Sequence, residues 1–308
     1  MRNLLATIRK RALAVSNPPY NAVGYCVTPT PDETGCALHP DVVDFERAWN
    51  GYRYWMVYTP YYGNNFRIEN PCVVASNDGV IWVVPSGASN PLFPAPENEN
   101  EWNSDPDLNY DPVTGELILV WRGGDLWPHI SRSSDGVNWS EPVTAILPGV
   151  AVTDEVASPS LVKVGSVWYL WGVTHPSRVL TRWQADAPEG PWSDPVVCSG
   201  FGSNLWHLNV IRAGQRYLMI AHEGWTAETG GSTTYAASSL DGVSWDRNPV
   251  PILVPSGAGW DGVELYRGAM TLHDDGIHMR VWYSGRSGAT PKDWHIGLVN
   301  VPLIEWSV

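Results

Sequence analysis

Four related stretches carry the residues best suited to chemistry: His39-Pro40-Asp41-Val42, Asp105-Pro106-Asp107-Leu108, Ser158-Pro159-Ser160-Leu161 and His207-Leu208-Asn209-Val210. Each opens on a polar residue and places a second polar residue two positions later. In an extended strand, positions i and i+2 share one side, so each stretch offers two polar groups to one surface. The leading groups are His39, Asp105, Ser158 and His207, followed by Asp41, Asp107, Ser160 and Asn209. Imidazoles titrate near neutrality and can take or give protons beside carboxylates. Further candidates are Glu69 beside Asn70-Pro71, Arg122 at the end of ELILVWR, and Glu264 shortly before Tyr266-Arg267.

Residues so far apart in sequence meet only if the chain repeats. The motif S-x-D-G-V-x-W occurs at Ser76–Trp82, Ser133–Trp139 and Ser239–Trp245, with a degenerate copy ending at Trp192. The four Trp residues are separated by 57, 53 and 53 positions. Asp-Gly is a tight-turn signal, and it predicts a hairpin with Val and Trp opening the next strand. Between the turns lie aromatic-rich strand patterns at 52–60, 116–122, 167–173, 216–222 and 278–285. Each unit reads as a four-stranded antiparallel sheet, and five fill the chain. Radial repetition of such sheets protects their edges. The expected fold is therefore all-β: a five-bladed β-propeller with four-stranded antiparallel blades. The blades fall at about 37–95, 100–150, 153–200, 203–255 and 260–302, within a propeller of 31–308 preceded by a basic extension, 1–30. First strands of propeller blades line a central channel, so the leading residues of the four stretches converge on one funnel.

The 308 residues carry a net charge of −13, which argues against a nucleic-acid partner. No apolar run approaches the length of a membrane span. Arg2, Arg9, Lys10 and Arg11 precede the first acid, Asp32, and residues 1–16 read as a short basic amphipathic helix, interrupted too early by charge for a secretion signal. The cysteines (Cys26, Cys36, Cys72 and Cys198) lack zinc spacing, and sequence alone leaves a Cys26–Cys36 bridge open. With 18 Trp and 13 Tyr the chain has aromatic faces for a core and for flat ligands such as sugars.

Five blades, with SDPDLNYD opening the second, resemble the propellers of glycoside hydrolase families 43 and 32. The resemblance implies an Asp opening blade one, an Asp opening blade two and a Glu beside blade three. Only Asp105 matches directly; His39 stands at the blade-one position with Asp41 two residues on, Ser158 stands at the third, and Glu155 is displaced. HPDVV, NGYRYWMVYTPY, SNDGVIW, NSDPDL, WHLNV and LYRG further resemble glycoside-hydrolase-like propellers of phage tails and baseplates. This implies a carbohydrate-directed virion protein, a glycosidase acting on bacterial surface polysaccharide, or alternatively a glycan-binding propeller without catalysis. Residues 1–16 would then attach it to other tail proteins. The expected catalytic residues are Asp105 and Glu69, with Glu264 in reserve and His39 and Asp41 orienting them. Arg122, His207 and Arg267 would hold sugar hydroxyls or acidic groups, and Tyr266 and Trp206 would pack on sugar faces. No cofactor and no metal ligand set is assigned, although a funnel of Asp and Asn oxygens is compatible with calcium.

Overall fold

The computed structural model describes residues 17–151, 153–224 and 231–307. The first blade holds β1 (Ala37–Trp49), β2 (Tyr52–Pro60) and β3 (Cys72–Ser76). The second holds β4 (Ser104–Asp111), β5 (Glu116–Arg122), β6 (Pro128–Ser133) and β7 (Val143–Thr144). The third holds β8 (Glu155–Val164), β9 (Val167–His175), β10 (Val179–Ala185) and β11 (Val196–Val197). The fourth holds β12 (Leu205–Ala213), β13 (Arg216–Glu223), β14 (Thr233–Ser239) and β15 (Asp246–Arg247). The fifth holds β16 (Glu264–Leu272), β17 (His278–Arg286) and β18 (Trp294–Pro302). Pairing within every blade is antiparallel and sequential, and β1, β4, β8, β12 and β16 touch in a closed ring. The fold is the five-bladed propeller expected from the repeat. The N-terminal helix expected over 1–16 lies outside the described residues.

Two blades reach four strands by borrowing short segments. Val83 bridges Ala75 at the outer edge of blade one. Blade five is completed by the N-terminal segment: Tyr25 pairs with Gly297, and the Cys26 amide donates to Ile296 O at 2.7 Å. One residue on, Val27 pairs with Ile81 of blade one. This short run closes the ring by main-chain bonds between its first and last blades. All four cysteines are buried and unbonded, including Cys26 and Cys36.

The core lies between blades, which explains the strand composition. Side chains alternate across a strand, and here both faces are covered. On β2, Tyr54, Met56 and Tyr58 pack toward blade five, whereas Trp55 and Val57 pack toward Leu108, Leu119 and Trp121 of blade two.

The S-x-D-G turns differ from the two-residue hairpins read in the sequence. In the first, Asp78 Oδ1 accepts from the amides of Val80 and Ile81, each at 2.8 Å, and Ser76 Oγ accepts from Gly79 at 3.0 Å. The carboxylate thus substitutes for a backbone partner, and the outer strand begins only after the Trp. The same bonds recur at Asp135 and Asp241. Each turn wedges against a Trp of the preceding blade: Trp282 and Trp171 donate to Gly79 O and Gly242 O at 2.8 Å. Gly79, Gly136 and Gly242 of the three turns have φ of 77°, 75° and 72°, the left-handed region that Gly enters without steric cost.

Candidate functional site

Every inner strand breaks register with its neighbour at the same height. The breaks lie at Leu38/Asp41, Ser104/Asp107, Ala157/Ser160, Leu205/His207 and Leu265/Gly268. Bulges of this kind re-aim side chains. Within them His39, Asp105 and Ser158 take φ of 54°, 52° and 51°. Left-handed backbone costs a non-glycine residue about 1–3 kcal/mol, so the fold sustains strain at these positions to turn the leading residues into the channel.

Three of the leading residues meet. His39 Nε2 lies 3.5 Å and His207 Nδ1 3.1 Å from Asp105 Oδ1. The Tyr266 ring closes the group, with its centroid 4.3 Å from that of His207 and 5.3 Å from that of His39. Glu69 Oε1 lies 3.6 Å from His39 Nδ1 on the side away from Asp105. Thr59, which sequence reasoning did not single out, places its hydroxyl 2.8 Å from His39 Nδ1. Such a contact fixes one ring nitrogen and leaves Nε2 directed at the channel. Ser158 is not part of the cluster: its hydroxyl donates to Leu208 O and accepts from the Leu208 amide, joining blades three and four.

Arg267, fully buried, forms the floor. Its guanidinium lies 3.9 Å from Asp105, 3.8 Å from Asp41 and 3.6 Å from Asp107. Asp41 therefore sits below Arg267, in a second layer with Asp107 and Asn209, whose amide donates to Asp41 Oδ2 at 2.9 Å. Asp107 Oδ2 caps the Leu161 amide, Ser160 Oγ that of Val210 and Asn209 Oδ1 that of Met270. Asp107, Ser160 and Asn209 thus each tie their blade to the next, whereas Asp41 meets Asn209 of blade four across the channel.

The remaining candidates are engaged by neighbouring side chains, and Glu264 and Arg122 are buried. Glu264 is held by Arg286. Arg122 pairs with Glu155 at 2.7 Å and lies over Trp102, 4.6 Å from its ring centre. Trp206 has the Arg178 guanidinium over its ring at 4.7 Å and His175 edge-on at 4.9 Å.

The cluster's electrostatics are uneven. Burial drives His39 down to about 3 and also lowers His207, so both imidazoles are neutral at physiological pH. Burial opposes the Asp105 charge, but the two imidazoles and Arg267 outweigh it and hold this carboxyl well below the usual range. Glu69 is pushed well above its usual value by burial and then by Asp105, so it is a neutral acid. Asp41 is raised by burial and by Asp107 against it, and the two share a proton. Burial also keeps Tyr266 protonated.

His39, Asp105 and His207 each offer one ligand atom, all within 4.8 Å of one another. Asp105 Oδ1 and both His207 ring nitrogens are buried with no well-aligned hydrogen-bond partner. Two imidazoles and a carboxylate suit a divalent transition metal better than calcium, which prefers oxygen. Each residue was legible singly in the sequence; their joint use was not, because ligand spacing across blades has no local signature.

No family model matches the sequence. The A type blood N-acetyl-alpha-D-galactosamine deacetylase of Flavonifractor plautii is 32% identical over 308 aligned positions, which cover 80% of this chain and 39% of that protein. The chain therefore spans about two fifths of the length of this curated relative. The solved structure of an N-acetylgalactosamine deacetylase from F. plautii in complex with blood group B trisaccharide superposes with a TM-score of 0.81 at 25% identity, covering 94% of this chain and 97% of that one. The catalytic domain of the Coprinopsis cinerea GH62 alpha-L-arabinofuranosidase follows at TM-score 0.70 and 16% identity, over 92% and 96% of the two chains. A thermostable family-43 glycoside hydrolase gives 0.59 at 13%, over 86% and 89%. The last two are likenesses of fold alone, and they place the chain's architecture with the five-bladed propellers of glycoside hydrolases.

Proposed function

We propose that this protein removes the N-acetyl group from an amino sugar of a glycan, with His39, Asp105 and His207 as a centre that holds a divalent cation. The observation that carries this reading is the convergence of two neutral imidazoles on one ionised carboxylate, with Asp105 Oδ1 and both His207 ring nitrogens lacking a well-aligned hydrogen bond. A glycosidase centre needs two carboxyl groups across an open bond. Here the blade-one position is an imidazole standing between Glu69 and Asp105, and Glu264 is committed to Arg286. The likeness to a deacetylase over most of the chain supports the same reaction class.

A cation bound there supplies a Lewis acid and lowers the pKa of water. The chain's own groups do the rest. Thr59 orients His39, and Arg267 with the lower layer fixes the height of Asp105. Glu69, a neutral acid, gives its proton to the departing nitrogen, and the carboxylate so formed takes up the proton released by the water that attacks the acetyl carbon. The neighbours are bacterial and fungal carbohydrate enzymes, and nothing in the structure supports a virion role, so the tail attachment read from the resemblance is no part of this proposal.

The test is a product assay on oligosaccharides ending in N-acetylgalactosamine or N-acetylglucosamine. Acetate release without new reducing ends, lost with chelator and restored by zinc or manganese, supports the reading. New reducing ends would instead restore the glycosidase reading, and binding without either product would restore the binding module.

A further inference from the structure

The bulge residues of blades four and five form one unit. Trp206 Nε1 donates to Tyr266 Oη at 2.8 Å. An indole nitrogen only donates, whereas a phenol both donates and accepts. Trp206 therefore occupies an acceptor site of the Tyr266 oxygen and turns its hydroxyl proton away from blade four. Trp206 is itself held in place: Arg178 lies over its ring and His175 meets it edge-on. Arg178 keeps this position from a left-handed backbone, φ 53°, in the loop between β9 and β10. Tyr266 in turn packs against both imidazoles of the centre.

Resting on the deacetylase reading, we infer that Tyr266 is a catalytic residue that donates a hydrogen bond to the developing oxyanion of the acetyl group, and that Trp206 is the residue that positions it. The expectation of Trp206 as a flat sugar platform changes accordingly, since Arg178 lies over its ring. A preorganised donor of this kind strengthens only as charge moves onto the carbonyl oxygen, so its loss lowers kcat rather than raising KM. The hydroxyl forms no covalent bond and its proton stays on oxygen throughout.

The experiment is steady-state kinetics of acetate release by the whole chain and by Tyr266→Phe, Trp206→Phe and the double variant. Tyr266→Phe should lose about 10²–10³ in kcat with KM nearly unchanged. Trp206→Phe, which keeps an aromatic side chain and removes the donor, should lose about tenfold in kcat, and nothing further in the Tyr266→Phe background. Circular dichroism confirms that each variant folds. An active wild type with unaltered Tyr266→Phe turnover, or a Trp206→Phe loss that persists in the double variant, overturns the inference and leaves the deacetylase reading standing. A wild type that releases no acetate from any N-acetyl amino sugar removes both.

Discussion

His39 Nε2 and Asp105 Oδ1 stand 3.5 Å apart, each delivered by a left-handed residue at the same height of a different blade. The contact is a product of the bulges, and it makes the centre sensitive to changes that leave the blades intact. Asp105→Asn should reduce acetate release by at least about 10³-fold while shifting the melting temperature little. Glu69→Gln keeps the volume and the neutral state but not the exchangeable proton, and it should cost about 10²–10⁴-fold. Rates of both variants near wild type would sink these role assignments.

Arg267 supports the site from below. Removing it leaves Asp105 and the Asp41–Asp107 pair buried around a lost cation. Arg267→Met should therefore destabilise the fold by about 3–5 kcal/mol, seen as a lower urea midpoint. An unchanged midpoint would mean that the charges below the site are not balanced by this residue.

The turns offer a test of the architecture without touching the site. A Cβ on Gly136 would lie 2.2 Å from the Trp55 ring, at a φ of 75°. Gly136→Ala should cost about 2–4 kcal/mol from overpacking and left-handed strain together. Gly165→Ala meets no atom within 4 Å and shares only the left-handed backbone, at φ 64°, so it should cost clearly less. Equal losses would show that the wedge against Trp55 contributes nothing.

Acid stability follows from the same turns. Backbone and side-chain donors hold Asp135 at about 2, against burial that opposes them, compared with an ordinary value of 3.8. A carboxyl depressed on folding adds stability that is complete above its unfolded pKa and is lost as pH falls through the folded one. The contribution should thus fade between about pH 4 and pH 2. Asp135→Asn should flatten this part of the curve of melting temperature against pH, and an unaltered slope would contradict the assignment.

The propeller was legible because its repeat is written locally: Asp-Gly turns at regular spacing, with a Trp closing each. The funnel was legible for a related reason, since each inner strand opens on the same pattern. Three features were not. The borrowed strand at Tyr25–Val27 has no pairing signal of its own and gains its partners from both ends of the ring. The separation of Asp41 from His39 by the Arg267 floor depends on bulges, which alternation along an ideal strand does not anticipate. Thr59, on a second strand, became relevant only when its hydroxyl met an imidazole.

The most direct measurement of the central claim is proton NMR of an N-acetylgalactosamine-terminated trisaccharide incubated with wild type and with Asp105→Asn. The account predicts that wild type converts the acetamido methyl signal to free acetate while every anomeric signal of the trisaccharide persists, and that Asp105→Asn converts none. Appearance of a free monosaccharide's anomeric signals with the acetamido methyl intact would contradict it.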